Sequence, residues 1–255
     1  MIDIHSHILP GIDDGSDSLE SSLLMLEAAQ RIGVEVVFAT PHIYFYNKAS
    51  QVLAQADQKL TLLRKALQHR SIDILIESGF EIFLQPSLPS LSQLENFTLR
   101  GKGKFILVEL ALGQIPSSVE KTCFDLILNG VTPILAHPER NLISSSQLII
   151  LEKLVHQGVR LQIEAASLVG LNGPELRKNC QLLLKKELVS FVASDAHSPE
   201  RNFVPMQKAY QLIQKQFSEQ IAQQLFSENQ KEILSVTGIQ THLKFQTQAI
   251  QREQV

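Results

Sequence analysis

Seven short runs of apolar and β-branched residues, each separated from the next by apolar positions at helical spacing, limit what this chain can fold into. The runs fall at 1–4, 34–39, 73–76, 105–110, 131–136, 159–163 and 188–193. Between them Leu19, Leu23, Leu26 and Ala29, and then Leu53, Leu60, Leu63 and Leu67, follow the period of helices with one buried face. Ile32-Gly33, Asn129-Gly130 and Gln157-Gly158 set a glycine after a helical pattern and before a strand, where a helix end calls for left-handed backbone. Such alternation predicts an α/β fold of parallel strands joined by helical crossovers. Periodicity leaves two forms of it open, a closed barrel and a doubly wound open sheet.

The chain has 255 residues, 44% of them hydrophobic, without a compositional break, so one large domain is expected rather than two small ones. The net charge of −3, with Lys and Arg scattered, gives no basic stripe and disfavours a nucleic-acid partner. The first residues carry no signal-peptide pattern, and no run approaches the roughly 20 apolar residues of a membrane span. A soluble, cytoplasmic protein without membrane insertion is therefore expected. Cys123 and Cys180 lie far apart in helical patterns with no C-x-x-C spacing, and are expected to be buried thiols. Segments 43–50 and 85–104 read as loops on the strand-end face. Helical patterns continue from about residue 202 to 236, and the Gln-rich stretch 244–255 is expected to be a flexible polar tail.

The chemistry gathers where the strands end. His5 and His7, His42, Glu81, Glu109, His137, and Asp195 with His197 follow six of the seven runs. In parallel βα folds the C-terminal strand ends share one face, so ligands distant in sequence meet in space. His5 and His7, at strand spacing, emerge on the same side about 7 Å apart and can close on one ion. Asp195 and His197 repeat the geometry with mixed ligands. Histidine and carboxylate without cysteine suit manganese, iron or zinc. Asp14, in Gly11-Ile12-Asp13-Asp14-Gly15, can reach an adjacent ion. Four carboxylates, Asp14, Glu81, Glu109 and Asp195, do not neutralise three divalent cations, and the surplus positive charge favours an anionic substrate. Arg140 presents a planar fork suited to phosphate oxygens, and Arg201 is a second candidate.

Plainer readings stand beside these. One histidine at a strand end is commonly a hydrogen-bonded structural residue, and Glu81 or Glu109 alone could be a solvated strand end. Five histidines together at strand ends read differently from His69, His156 and His242, which need no function; the first two lie near last helical turns. Glu164 divides evenly between support for the site and a salt bridge, and stays outside the ligand set. Asp13 could cap the glycine turn, and Glu139 could be a surface charge or a partner of Arg140. Tyr44, Phe45 and Tyr46 read as lid packing or as an aromatic wall against a substrate ring. Ser6 has no paired base and does not suggest a serine hydrolase.

In order along the chain, His5-Ser6-His7, Gly11-Ile12-Asp13-Asp14-Gly15, Thr40-Pro41-His42, Gly79-Phe80-Glu81, Val108-Glu109, Ala136-His137-Pro138-Glu139-Arg140 and Ala193-Ser194-Asp195-Ala196-His197 resemble the PHP (polymerase and histidinol phosphatase) superfamily. Within it they resemble the bacterial capsular-polysaccharide-type tyrosine phosphatases. The resemblance implies a distorted (β/α)7 TIM-like barrel with C-terminal helices over residues 1–243. It also implies three divalent ions, usually Mn2+, with Fe or Zn as alternatives. Residues matching His5, His7, Glu81 and Asp195 hold the first ion, Glu81, Glu109 and His137 the second, and Asp14, His42 and His197 the third. Arg140 matches a phosphate-binding arginine, Arg201 stands near a second substrate contact, and Arg140, His42 and Asp195 become the catalytic candidates. The implied reaction is hydrolysis of protein phosphotyrosine by a metal-bound hydroxide, on an autophosphorylating bacterial tyrosine kinase that controls exopolysaccharide synthesis. Small phosphomonoesters such as histidinol phosphate, or a non-catalytic metal-binding role in kinase regulation, are the alternatives. Phe80, where a small residue is common, and the composition of 85–104 depart from the pattern and bear on substrate fit.

Overall fold

Two of the seven expected strands resume as short pieces beyond a break, and the breaks shape the barrel. The computed structural model describes residues 1–101, 104–142 and 144–235; His242 and the 244–255 tail lie outside them. The strands are β1 Ile2–Ser6, β2 Val36–Ala39, β3 His42–Ile43, β4 Leu75–Ser78, β5 Glu81–Phe83, β6 Phe105–Glu109, β7 Thr132–Ala136, β8 Arg160–Glu164 and β9 Val189–Ala193. The second run stops before Pro41, which has no N–H for a ladder, and resumes as β3. The third breaks at Gly79, where a Cβ would come within 2.6 Å of Leu99 Cδ2. Each break carries the chain from a three-stranded sheet, β1-β2-β4, into a six-stranded one, β3-β5-β6-β7-β8-β9. Every strand pair is parallel.

The two sheets form one ring. Ser6 bridges Ala196 in parallel register. Asp195 N–H donates to His5 O at 3.0 Å and His7 N–H to Ala196 O at 2.8 Å, so the last strand end meets the first. Below this junction, buried Asp3 accepts from the backbone and hydroxyl of Ser194 at 2.8 and 2.7 Å. Of the two forms the sequence left open, the closed barrel is the one adopted. Ile2, Ile4, Val36, Phe38, Leu107, Ile134 and Phe191 form a buried cluster with Ile233. The register sets Glu81 beside Leu107 and Gln162 beside Phe191. Polar site residues thus share a sheet face with this apolar filling.

The helices are α1 Leu19–Arg31, α2 Ala49–Arg70, α3 Val119–Leu128, α4 Ser145–His156, α5 Ala165–Val169, α6 Pro174–Lys185, α7 Val204–Gln216, α8 Glu219–Gln223 and α9 Asn229–Ser235, with a π-helical turn at Gln224–Glu228. Ser18 caps α1 by accepting from Ser21 N–H, and Ser144 with Gln147 forms a reciprocal capping box at α4. Gly33, Gly130 and Gly158 take φ of 80°, 80° and 103°, the left-handed helix ends expected of them. Over 85–101 the 85–104 segment is more structured than a loop reading implies. It makes two 3-10 turns, Leu88–Ser90 and Leu94–Phe97, that bury Leu88, Leu94 and Phe97. Phe80 meets Phe97 edge-on at 5.7 Å, so its bulk is matched by that segment. Among the described residues no helix is long and apolar enough to cross a membrane.

Candidate metal centre

The glycine loop and the strand ends bring all nine proposed ligands to the top of the barrel. His5 Nε2 lies 3.0 Å from Glu81 Oε2, 3.3 Å from Asp195 Oδ1 and 3.2 Å from His7 Nε2; His7 Nε2 lies 3.3 and 3.5 Å from the same two oxygens. Ligands about 2.1 Å from a tetrahedral ion stand roughly 3.4 Å apart, so these four atoms are spaced as a first coordination shell would be. Two further donor groups overlap this one: His42, Glu81 and Glu109, and His7, Asp14, His42 and His197. His137 completes the set through Nε2, 2.8 Å from Glu81 Oε1. The grouping departs from the implied one: His42, not His137, stands with Glu81 and Glu109, and His7 belongs both to the group of His5, Glu81 and Asp195 and to that of Asp14, His42 and His197.

Geometry and charge both fit a cation. His42 Nδ1 sits 3.1 Å from Glu81 Oε2 and 3.0 Å from Glu109 Oε1, yet none of the three buried atoms has a hydrogen-bond partner. Buried polar atoms facing one another without hydrogen-bond alignment are costly unless a shared partner joins them. Burial would raise the Glu81 carboxyl, but His5 and the bond to His137 hold it well below the usual range. Asp195 is likewise held low against burial, by His5 and His7. Burial disfavours charge on His5, yet Glu81 and Asp195 lift it to about 9. The two carboxylates therefore stay anionic, the form a hard or borderline cation needs, and a cation bound there would take the place of the proton that they hold on His5.

Several supporting residues were not legible from sequence. Gln162 Oε1 faces His5 Nδ1 at 2.9 Å and fixes the ring that presents Nε2. Asp13 does the same for His7, its Oδ2 2.7 Å from Nδ1, and also accepts from Gly15 and His42 N–H. The turn cap read for Asp13 is real but secondary to this. The only advance sign of Gln162 is an amide in an apolar run. Gly15 must lack a side chain, since a Cβ would stand 2.2 Å from His7 O and 2.3 Å from His7 Cβ. His137 and Asp195 adopt φ of 34° and 52°, left-handed conformations that non-glycine residues keep only where surroundings enforce them.

The family model described as capsular polysaccharide synthesis, CpsB/CapC, matches residues 1–235. The chain belongs to this family. It is 34% identical over 224 residues to the tyrosine-protein phosphatase YwqE of Bacillus subtilis, covering 87% of each chain. It is 27% identical over 241 residues to the tyrosine-protein phosphatase CpsB of Streptococcus agalactiae serotype V, covering 92% of this chain and 98% of that one. A solved chain among the crystal structures of YwqE from Bacillus subtilis and CpsB from Streptococcus pneumoniae, described as metal-dependent tyrosine phosphatases, superposes with a TM-score of 0.82 at 34% identity, covering 93% and 96%. The histidinol phosphate phosphatase of Lactococcus lactis, solved with zinc, shares the fold at a TM-score of 0.55 and 17% identity. The barrel is thus of the PHP type.

In this CpsB/CapC chain the arginines divide. Arg140 is mostly buried, its Nη2 donating to Glu164 Oε2 at 2.6 Å and to Asp195 Oδ2 at 2.5 Å. Glu164, which the sequence left evenly divided, also accepts from Ser167 and Asn172 and thereby holds the arginine beside the centre. Glu139 is not a surface charge, and it acts on Arg140 through its field rather than through a hydrogen bond. The Pro138–Arg140 turn tucks it fully inside, where Oε1 accepts from Glu164 N–H at 3.0 Å and burial pushes its carboxyl up to about 7. Arg201 is exposed; its backbone carbonyl accepts from His197 N–H at 2.9 Å. The aromatic triplet splits as well. Tyr46 hydroxyl bonds Phe83 O and Gln85 N–H, Phe45 is exposed, and Tyr44 stacks on His42. His69 and His156 are exposed in last helical turns, apart from the centre.

Proposed function

We propose that this chain is a metal-dependent tyrosine phosphatase that hydrolyses phosphotyrosine on proteins. The observation that carries the reading is three overlapping donor groups, joined through His7, His42 and Glu81, with an arginine held at their edge. We assign His5, His7, Asp14, His42, Glu81, Glu109, His137, Asp195 and His197 as ligands of three divalent ions, Mn2+ before Fe or Zn. Bound there, such ions supply Lewis acidity that activates water and offsets phosphoryl charge.

The chain's own residues do the rest. Arg140 keeps further N–H groups beyond the one shared by Glu164 and Asp195, and these take phosphoryl oxygens. Asp195 anchors both Arg140 and the imidazole of His5, so the phosphate clamp and the ligand set are positioned together. His42 ties Glu81 and Glu109 to Asp14. Arg201, on the loop bonded to His197, is a second contact for the substrate. A cysteine nucleophile does not fit: Cys123 and Cys180 are buried, and burial pushes Cys123 up to about 12 and Cys180 higher still, whereas a reactive thiol needs a lowered pKa and access.

The family description places the reaction in capsular polysaccharide synthesis. We accordingly take the natural substrate to be an autophosphorylated tyrosine kinase of that process, met in the cytoplasm, and residues 1–243 to be one catalytic unit. Turnover of a phosphotyrosine peptide after chelation and manganese add-back, with Asp195→Ala alongside, tests the reading. Restored turnover absent from the variant supports it. A manganese-loaded chain inactive on the peptide but active on histidinol phosphate would replace it.

A further inference from the structure

Tyr44 occupies a position that metal binding alone does not account for. Its ring lies on His42 with centroids 4.6 Å apart and planes 24° from parallel, yet the residue is 44% exposed. Phe83 approaches at 6.4 Å and 53°. Gln85 Nε2 donates to Tyr44 O at 3.1 Å, and the Tyr46 hydroxyl pins the same loop to Phe83 O at 2.7 Å. Apart from the histidines themselves, Tyr44 is the aromatic residue among those described that stacks on a ligand imidazole. A large ring half open to solvent, on a loop tied down at both ends, is a preformed surface rather than core packing.

Its place relative to Arg140 gives that surface a use. Arg140 is fixed to Glu164 and to Asp195, which belongs to one donor group. Tyr44 rests on His42, which belongs to the other two and faces Glu81, Glu109 and Asp14. A phosphomonoester whose phosphoryl group is held by Arg140 and whose substituent leaves that clamp over His42 brings the substituent onto the exposed ring of Tyr44.

We propose that Tyr44 is the aryl-selecting wall of the site. The aromatic ring of an aryl phosphate packs on its exposed side, and this contact favours aryl over alkyl phosphomonoesters. The inference rests on the phosphatase reading above and adds the residue that chooses the leaving-group class. It predicts that the phenol ring, not its hydroxyl, carries the preference.

The test is competitive inhibition by phenylphosphonate and methylphosphonate, measured on the manganese-loaded parent, Tyr44→Ala and Tyr44→Phe, with bound metal determined for each. The two probes share the phosphonate head and differ in the ring. Tyr44→Ala is expected to weaken phenylphosphonate about five- to tenfold, the size of one aromatic stacking contact, and to leave methylphosphonate within twofold. Tyr44→Phe should keep the parent ratio, and metal content should be unchanged throughout. If Tyr44 merely steadies His42, both probes weaken together or metal is lost, and the proposal is overturned. An unchanged phenyl-to-methyl ratio in Tyr44→Ala, with phosphotyrosine turnover intact in the parent, overturns it while leaving the phosphatase reading in place. Absence of phosphotyrosine turnover in the manganese-loaded parent removes that reading and this one with it.

Discussion

The inner and outer parts of the donor cluster are built differently. His5, His7, Glu81 and Asp195 are at most 3% exposed, and each has a further partner that fixes it: Gln162, Asp13, His137 and Arg140 respectively. At the rim the Asp14 side chain is 69% exposed, on the loop whose other aspartate does the orienting. His42 is intermediate and His197 is buried at 8% exposed, each within 3.7 Å of Asp14 Oδ1. Preorganised, dehydrated ligands bind one geometry firmly, whereas an exposed carboxylate in high dielectric gives a weaker, adaptable contact. The inner group therefore reads as the permanent foundation and the rim as the part that adjusts to substrate.

The hardest blow to this contrast is at Glu81, which the inner and middle groups share. Glu81→Gln should abolish phosphotyrosine turnover and lower bound metal, with far-ultraviolet circular dichroism unchanged. Excess manganese should not restore it, because a buried neutral amide cannot replace the charge that two donor groups share. Restoration by added manganese would show the inner group to be as adaptable as the rim.

Arg140→Ala comes next. Removing one preorganised charge-stabilising donor costs about 10²–10³-fold in kcat. Elemental analysis should find the metal still present, because Asp195 retains His5 and His7 as neighbours. Metal loss in this variant would instead make Arg140 a part of the foundation. Gln162→Leu tests the foundation's own support. Losing the partner that orients a ligand histidine should weaken metal binding about 10–100-fold, measured by competition with a chelator. Unchanged affinity would mean that packing alone fixes His5.

Sequence reasoning located the residues of the donor groups because their signal is positional: most follow an apolar run, and a parallel α/β topology must gather such positions. It identified seven strand paths but not their breaks, because β3 and β5 have two and three residues and no period can be read from so few. From periodicity it could not choose barrel over open sheet, since the closing bonds from Asp195 and His7 lie outside the ladders of β1 and β9, and only the family resemblance supplied the barrel. It missed Gln162 and misjudged Glu139, because both roles depend on burial, which side-chain identity does not reveal. Glu164 illustrates the limit: second support for the site and salt bridge turn out to be one interaction, with Arg140.

The mildest change sharpens the contrast from the other side. Asp14→Asn removes one exposed charge but keeps an oxygen donor in a loop whose shape depends on Gly15 and Asp13. Two unit charges about 4 Å apart at bulk dielectric are worth about 1 kcal/mol, which sets the lower bound for this contact, so the manganese concentration for half-activity should rise at least about fivefold. Maximal turnover should then recover at saturating manganese, unlike that of Glu81→Gln. Elevated ionic strength should narrow the gap between parent and variant, because screening acts on an exposed carboxylate and hardly reaches a buried one. A loss at Asp14 that neither manganese nor salt alters would place its carboxylate in the foundation, despite its exposure.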